Sequence, residues 1–237
     1  MSEATTPPKR TRGDTTHSLV KAGLGSVPLI GNAAAELFNL IVAPPIEKRR
    51  DEWFGEVGER LQMLEDAGFA TVESLQANDA FISTITKASQ IAVTTHDKDK
   101  RAALRNAIVN SALGIEPDES LRQMFLRFVD ELTPWHIRIL ELMQDARAWF
   151  VRQNRQPPQY IIAGSLSQLF TDAYPELRNQ RDFLELIHAE LNARKLSNSG
   201  NLMTVMSGSG PFEKRTTAFG DRFLAFIAEP DVPDPSK

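Results

Sequence analysis

"EPDESLRQMFLRFVDELTPWHIRILELMQDARAWFVRQ", residues 116–153, carries the punctuation of two consecutive helices and sets the fold class of the chain. Pro117, Asp118 and Glu119 suit a first helical turn, where proline needs no N–H partner and acidic side chains face the positive end of the helix dipole. Thr133 followed by Pro134 is an N-cap and first-position pair, so a second helix starts there. Leu121, Met124, Phe125, Phe128 and Val129 recur at three- and four-residue spacings and form one apolar face; Ile139, Leu140, Met143 and Ala146 begin the next.

The same periodicity extends upstream. Ile46 to Asp66 is rich in helix formers, with Trp53, Phe54, Val57, Leu61 and Leu64 spaced for one face. Asn78 reads as the N-cap of a helix through Phe81, Ile85, Ala88 and Ile91 to about Thr95. "THDKDKRAALRNAIVNSALG" follows, with Leu104, Ile108 and Ala112 on one stripe and Gly114 where a helix would terminate. Its basic residues read as a solvated helix start.

Downstream the character changes near residue 153, where the prolines of "NRQPPQ" cannot continue a helix. Ser165 caps a short helix to Ala173, "YPEL" breaks it, and Arg181 to Lys195 forms a longer one carrying Phe183, Leu184, Leu186, Ile187 and Leu191. "LMTVM" and "KRTT" then flank the turn-rich "SGSGPFE", a hairpin signal. Thr217 and Gly220 open a last helix through Phe223, Leu224 and Ile227. Two helices, a hairpin and a closing helix outline a winged helix. The expected architecture is mainly α: an N-terminal helical bundle over 46–152 and a winged-helix-like module with a short β-hairpin over 153–229. Residues 18–45 form an apolar, glycine-containing segment, and 1–17 and 230–237 read as disordered tails.

With 237 residues, 41% hydrophobic and 24% charged, the composition is that of an ordinary globular protein, and a net charge of −4 argues against non-specific coating of nucleic acid. Charge is unevenly placed, because residues 1–50 sum to +3 and the remainder to −7. The absence of cysteine excludes disulfides, thiol catalysis and thiolate metal sites. His17, His96, His136 and His188 are scattered without the close pairing of a zinc helix. Asp97 and Asp99 lie at alternate positions, but Lys98, Lys100 and Arg101 stand where a calcium loop needs oxygen ligands. "SGSG" at 207–210 lacks the Gly-Lys-Ser/Thr ending of a phosphate loop, and "GSLS" at 164–167 is not a hydrolase elbow. No catalytic residue, cofactor or metal is expected, and an enzyme is the class with least support.

A winged helix raises the question of DNA. The second paired helix and the wing would present Arg181, Arg194, Lys195, Lys214 and Arg215 as candidate nucleic-acid contacts. Residues 153–237 hold nine Lys/Arg against ten Asp/Glu, however, and phosphate neutralisation supplies most of the affinity of such modules. Nucleic acid is therefore the weaker reading beside a protein partner.

The other feature is "VKAGLGSVPLIGNAAAELFNLIVAPPIEKRR", residues 20–50. As one helix Ala22–Ala43 would reach about 33 Å and cross a bilayer. Gly23, Gly25, Pro28 and Gly31 weaken its first half, and the firmer part, Gly31–Ala43, spans only about 20 Å. Asn32, Glu36 and Asn39 make a polar stripe on an otherwise apolar cylinder that includes Leu37 and Phe38, and Lys48, Arg49 and Arg50 follow at its exit. Such a helix fits either a buried core position or a membrane or self-association interface.

Taken with "IEPDESLRQMFLRFVDELTPWHIRILELM", this segment resembles the bacterial abortive-infection alpha family over roughly residues 25–150. The similarity lies in an apolar glycine-containing N-terminal segment, a basic exit, and Asp118, Glu119, Leu121 and Met124 ahead of Thr133 and Pro134. The resemblance implies a phage-defence role with no catalytic residues to carry over. The expectation is a non-enzymatic interaction protein, cytoplasmic and membrane-associated, with a winged-helix DNA-binding regulator as the alternative.

Overall fold

A computed structural model describes residues 32–115, 117–160 and 163–230, with side chains from Glu36 onward. The two expected tails and residues 20–31 of the apolar segment lie outside the described residues, save Pro230. The chain divides into two units between Lys48 and Arg49.

The described residues form ten α-helices with one two-stranded antiparallel sheet. Helix α1 spans Asn32–Asp66 and contains Pro44 and Pro45. Two separate helices, Gly31–Ala43 and Ile46–Asp66, were the expectation; the prolines instead sit inside one helix. Each proline lacks the N–H that would bond four residues back, which leaves the Leu40 and Ile41 carbonyls without intrahelical donors. Both residues are exposed, so water can serve those carbonyls.

In the second unit α1 is followed by α2 (Val72–Gln76), α3 (Asp79–Thr94), α4 (Lys98–Ala112), α5 (Glu119–Glu131), α6 (Pro134–Gln144) and α7 (Ala146–Arg152). Strand β1 (Ala163–Gly164), α8 (Leu166–Ala173), α9 (Arg181–Ala193), β2 (Met206–Ser207) and α10 (Ala218–Ile227) complete it. The expected caps at Asn78, Ser165 and Thr217 are in place, and Asp118, expected in the first turn, is itself the cap of α5. Asn78 Oδ1 accepts from Phe81 N at 3.0 Å, Asp118 Oδ1 from Leu121 N at 3.2 Å, Ser165 Oγ from Gln168 N at 3.2 Å and Thr217 Oγ1 from Gly220 N at 3.0 Å. Gly114 ends α4 at φ +70°, a left-handed turn that lets Ile115 N bond back to Asn110 O at 2.8 Å.

One buried cluster runs from Trp53 to Ile227. Phe125 is its hub, with ring centroids 5.2 Å from Phe219, 5.4 Å from Phe223 and 6.0 Å from Phe226. Three residues assigned to apolar faces are exposed instead: Phe54, Met124 and Leu186. At 100° per residue Val57 and Leu64 fall within about 40° of Trp53, whereas Phe54 falls about 100° away. Spacing alone does not separate the centre of a face from its edge.

The expected hairpin does not form. Met206–Ser207 pairs with Ala163–Gly164, and residues 210–212 between the intended strands make a single 3₁₀ turn. "KRTT" contributes only an isolated bridge, Thr216 to Ser197. The loop is held where it is by close backbone approach: a Cβ on Gly208 would fall 2.1 Å from Tyr160 O, so only glycine lets the chain pass there.

The last helix is secured by two amides of α4. Asn110, 2% exposed, donates from Nδ2 to Phe226 O at 2.9 Å and Ala228 O at 3.0 Å, with Ala225 O at 3.3 Å, and Asn106 Nδ2 reaches Ile227 O at 3.0 Å. These are the carbonyls that a helix C-terminus leaves without partners. Stability of Asn110→Ala should fall by about 2 to 3 kcal/mol, since buried acceptors lose their donor. Urea unfolding followed by circular dichroism checks this, with the half-exposed Asn106→Ala expected to cost less.

Candidate interaction surface

The first unit presents the residues singled out in the apolar segment. On a 100° helical wheel Asn32, Glu36 and Asn39 fall within about 60° of arc, while Leu37, Phe38, Leu40 and Ile41 fill about 160° on the other side. Those four are 59, 43, 69 and 63% exposed. This part of the segment is exposed in the described structure. Leu40 and Ile41, which were not singled out, are more exposed than Phe38; the signal that finds them is the same helical wheel. A residue of this size left in water forgoes about 1.5–3 kcal/mol relative to burial, so the arc is a surface that association would cover. Lys48 is exposed, Arg49 and Arg50 are half-buried, and Arg50 Nη2 lies 3.2 Å from Asp51 Oδ1.

In the second unit the five candidate nucleic-acid contacts are mostly paired with carboxylates. Arg181 Nε donates to Glu185 Oε1 at 2.7 Å, Arg194 Nη1 to Glu190 Oε2 at 3.1 Å and Lys214 Nζ to Asp221 Oδ2 at 2.6 Å. Arg215 is drawn under its own loop, where Nη2 donates to Gly210 O at 2.9 Å and approaches Glu213 at 3.2 Å. Lys195 alone is exposed without such an ion pair, and it holds φ at +59° as the left-handed residue ending α9. Arg194 and Lys195 are drawn toward the 214–217 segment by Asn198 N to Arg215 O at 2.8 Å, but Arg181 sits about 20 Å away at the other end of α9. The basic start of α4 is likewise tied down rather than solvated: Arg101 and Arg105 reach Glu56 at 2.7 and 3.2 Å.

One polar cleft of the second unit, about 400 Å³, is lined in part by Asp99, Arg138, Glu141, Trp149, Gln153 and Tyr174. Arg138 is spent on Asp99, donating from Nε at 2.9 Å, and stacks on Trp135 at 5.1 Å. Burial pushes the Glu141 carboxyl up, against the pull of Arg152, and burial likewise pushes the Tyr174 hydroxyl up while it donates to Arg138 O at 3.2 Å. The carboxyl shifted the other way, Asp221, is not among the residues lining this cleft and is held by Lys214, Thr216 and Gln144, so it does not pair with Glu141 as acid and base. No group of three or more His, Asp or Glu able to hold a metal ion occurs among the described residues.

His136 and His188 border packed faces, as the sequence suggests. Nδ1 of His136 accepts from Thr133 N at 3.1 Å and so caps α6, while Nε2 lies 3.3 Å from Glu190 Oε2 in poor alignment for a hydrogen bond. His188 Nε2 sits 2.7 Å from Ser199 Oγ. Of the other two, His96 lies at the loop before α4 and His17 outside the described residues.

No family model, curated protein or solved structure matches the chain. The surfaces are therefore read from their own chemistry.

The histidines give the fold an acid sensitivity. Burial holds His136 below its ordinary value of 6.5, with Glu190 opposing and Arg194 reinforcing, and burial does the same for His188. The unfolded chain then binds more protons, so this contribution to stability is complete above about pH 6.5 and is lost as pH falls toward the folded-state values. Melting temperature should hold steady from pH 8 to 7 and drop between about pH 6.5 and 5. The His136→Gln/His188→Gln double variant, with no imidazole to protonate, should lose much of that drop in the same differential scanning series.

Proposed function

We propose that the protein acts by association rather than catalysis, as a membrane-directed effector of the abortive-infection kind whose working element is the apolar arc of α1. One observation carries the reading: Leu37, Phe38, Leu40 and Ile41 stand exposed together, opposite a polar stripe. Its resemblance over residues 25–150 to the abortive-infection alpha family supplies the defence context. The partners that chemistry favours are a membrane surface or another copy of the chain, since both can cover an apolar arc and neither requires a catalytic constellation.

A winged-helix regulator is the second reading. It draws on the order α8, α9, β2, glycine-bearing turn and α10, with the Ser197–Thr216 bridge beside the turn. Against it stand the ion pairs of Arg181, Arg194, Lys214 and Arg215, which a phosphate backbone would have to displace.

Expression of the wild type should arrest bacterial growth and bring the protein down with the membrane fraction. Leu37→Asp/Ile41→Asp, folded to the same melting temperature, should relieve both effects. Growth and fractionation identical for the two proteins would sink the proposal. Five phosphate contacts would give a slope near −4.5 for log affinity against log salt on duplex DNA; the expected electrophoretic result is a slope near zero.

A further inference from the structure

Resting on that reading, we infer that the α1 segment lies flat in one leaflet of an anionic membrane, as an in-plane amphipathic helix, rather than spanning it. The length comes first. Gly31–Ala43, the part clear of Gly23, Gly25 and Pro28, would cover about 20 Å as a helix, well short of a hydrocarbon core of about 30 Å. Among the described residues no helix is long and apolar enough to cross a membrane.

The angular layout comes second. A spanning helix needs apolar side chains all round, whereas here Glu36 and Asn39 keep one side polar while Leu37, Phe38, Leu40 and Ile41 occupy the opposite arc. Laid in the interface, the arc enters the acyl boundary by about 5–10 Å and the stripe stays at the water side, where a carboxylate is tolerated.

Charge then selects the lipid. Residues 1–50 carry +3 and the rest of the chain −7, with Lys48, Arg49 and Arg50 consecutive just past the apolar segment. Two copies meeting through this region would bring like charges together. An anionic headgroup layer offers the opposite sign, at roughly fivefold in affinity per cation near the surface. The occupant that fits is therefore a phosphatidylglycerol-type surface.

The chain has no cysteine, so Phe38→Cys gives a unique attachment point for an environment-sensitive nitrobenzoxadiazole dye on the full-length protein. Vesicles of phosphatidylcholine with and without phosphatidylglycerol are the probes. The expected result is binding tenfold or more tighter with phosphatidylglycerol, weakened by salt, with dye emission shifted to the blue and quenched by dithionite added outside. Leu40→Asp/Ile41→Asp, with unchanged circular dichroism, should lose the binding.

Equal binding to both vesicle types would overturn the anionic assignment and leave the membrane reading standing. Dye protected from outside dithionite and reached only from the lumen would overturn the in-plane orientation. No vesicle binding, together with self-association that Leu40→Asp/Ile41→Asp abolishes, would overturn the inference and the membrane-directed part of the function, making the arc an interface between copies.

Discussion

The carboxamide of Asn110 is the constraint on which the second unit depends. It sits on the inner face of α4, almost without solvent, and its hydrogens point at the frayed carbonyl end of α10. A helix terminus carried into the interior brings unsatisfied acceptors with it, and without donors waiting there the packing of Phe223 and Phe226 against Phe125 would be offset by that desolvation. Asn110 and Asn106, one turn apart, supply the donors. The aromatic cluster and the polar clasp are in this sense one feature, since neither is stable where it lies without the other.

The other end of α10 is fixed as tightly by different means. Thr217 N donates to Leu196 O at 3.1 Å, and a side chain on Gly220 would strike that same carbonyl at 1.9 Å. The turn after α9 thus seats the start of α10, while α4 receives its end. Lys214, Thr216 and Gln144 converge on Asp221 one turn in; burial would raise that carboxyl, and these three hydrogen bonds override it to hold the pKa low. Lys214, one of the candidate nucleic-acid contacts, is employed in this seating.

How legible this was in the sequence depends on the range of the interaction. Caps and stops at Asn78, Gly114, Thr133, Ser165 and Thr217 were readable because each acts within four residues of itself. The pairing of β2 was not, because its partner lies some forty residues back and is chosen by the passage of Gly208 beneath Tyr160. Pro44 and Pro45 run the other way, since the local rule against interior proline is outweighed by water access to the carbonyls they strand. At the candidate surface the polar stripe was evident from spacing, while the exposure of the opposite arc required a structure. Asn106 and Asn110 have no local role in α4; the position of α10 gives them their task.

A clasp formed between α4 and the final helix also orders events in time. A ribosome delivers α4 and α5 well before Ala218–Ala228, and until then Phe125 and Phe128 have nothing from α10 to cover them. The nascent second unit cannot close this seam until Ala218–Ala228 clears the exit tunnel. A chain released early would carry an open aromatic seam, the kind of surface that chaperones hold and proteases remove. Quality control of this protein is in effect written into its final dozen described residues.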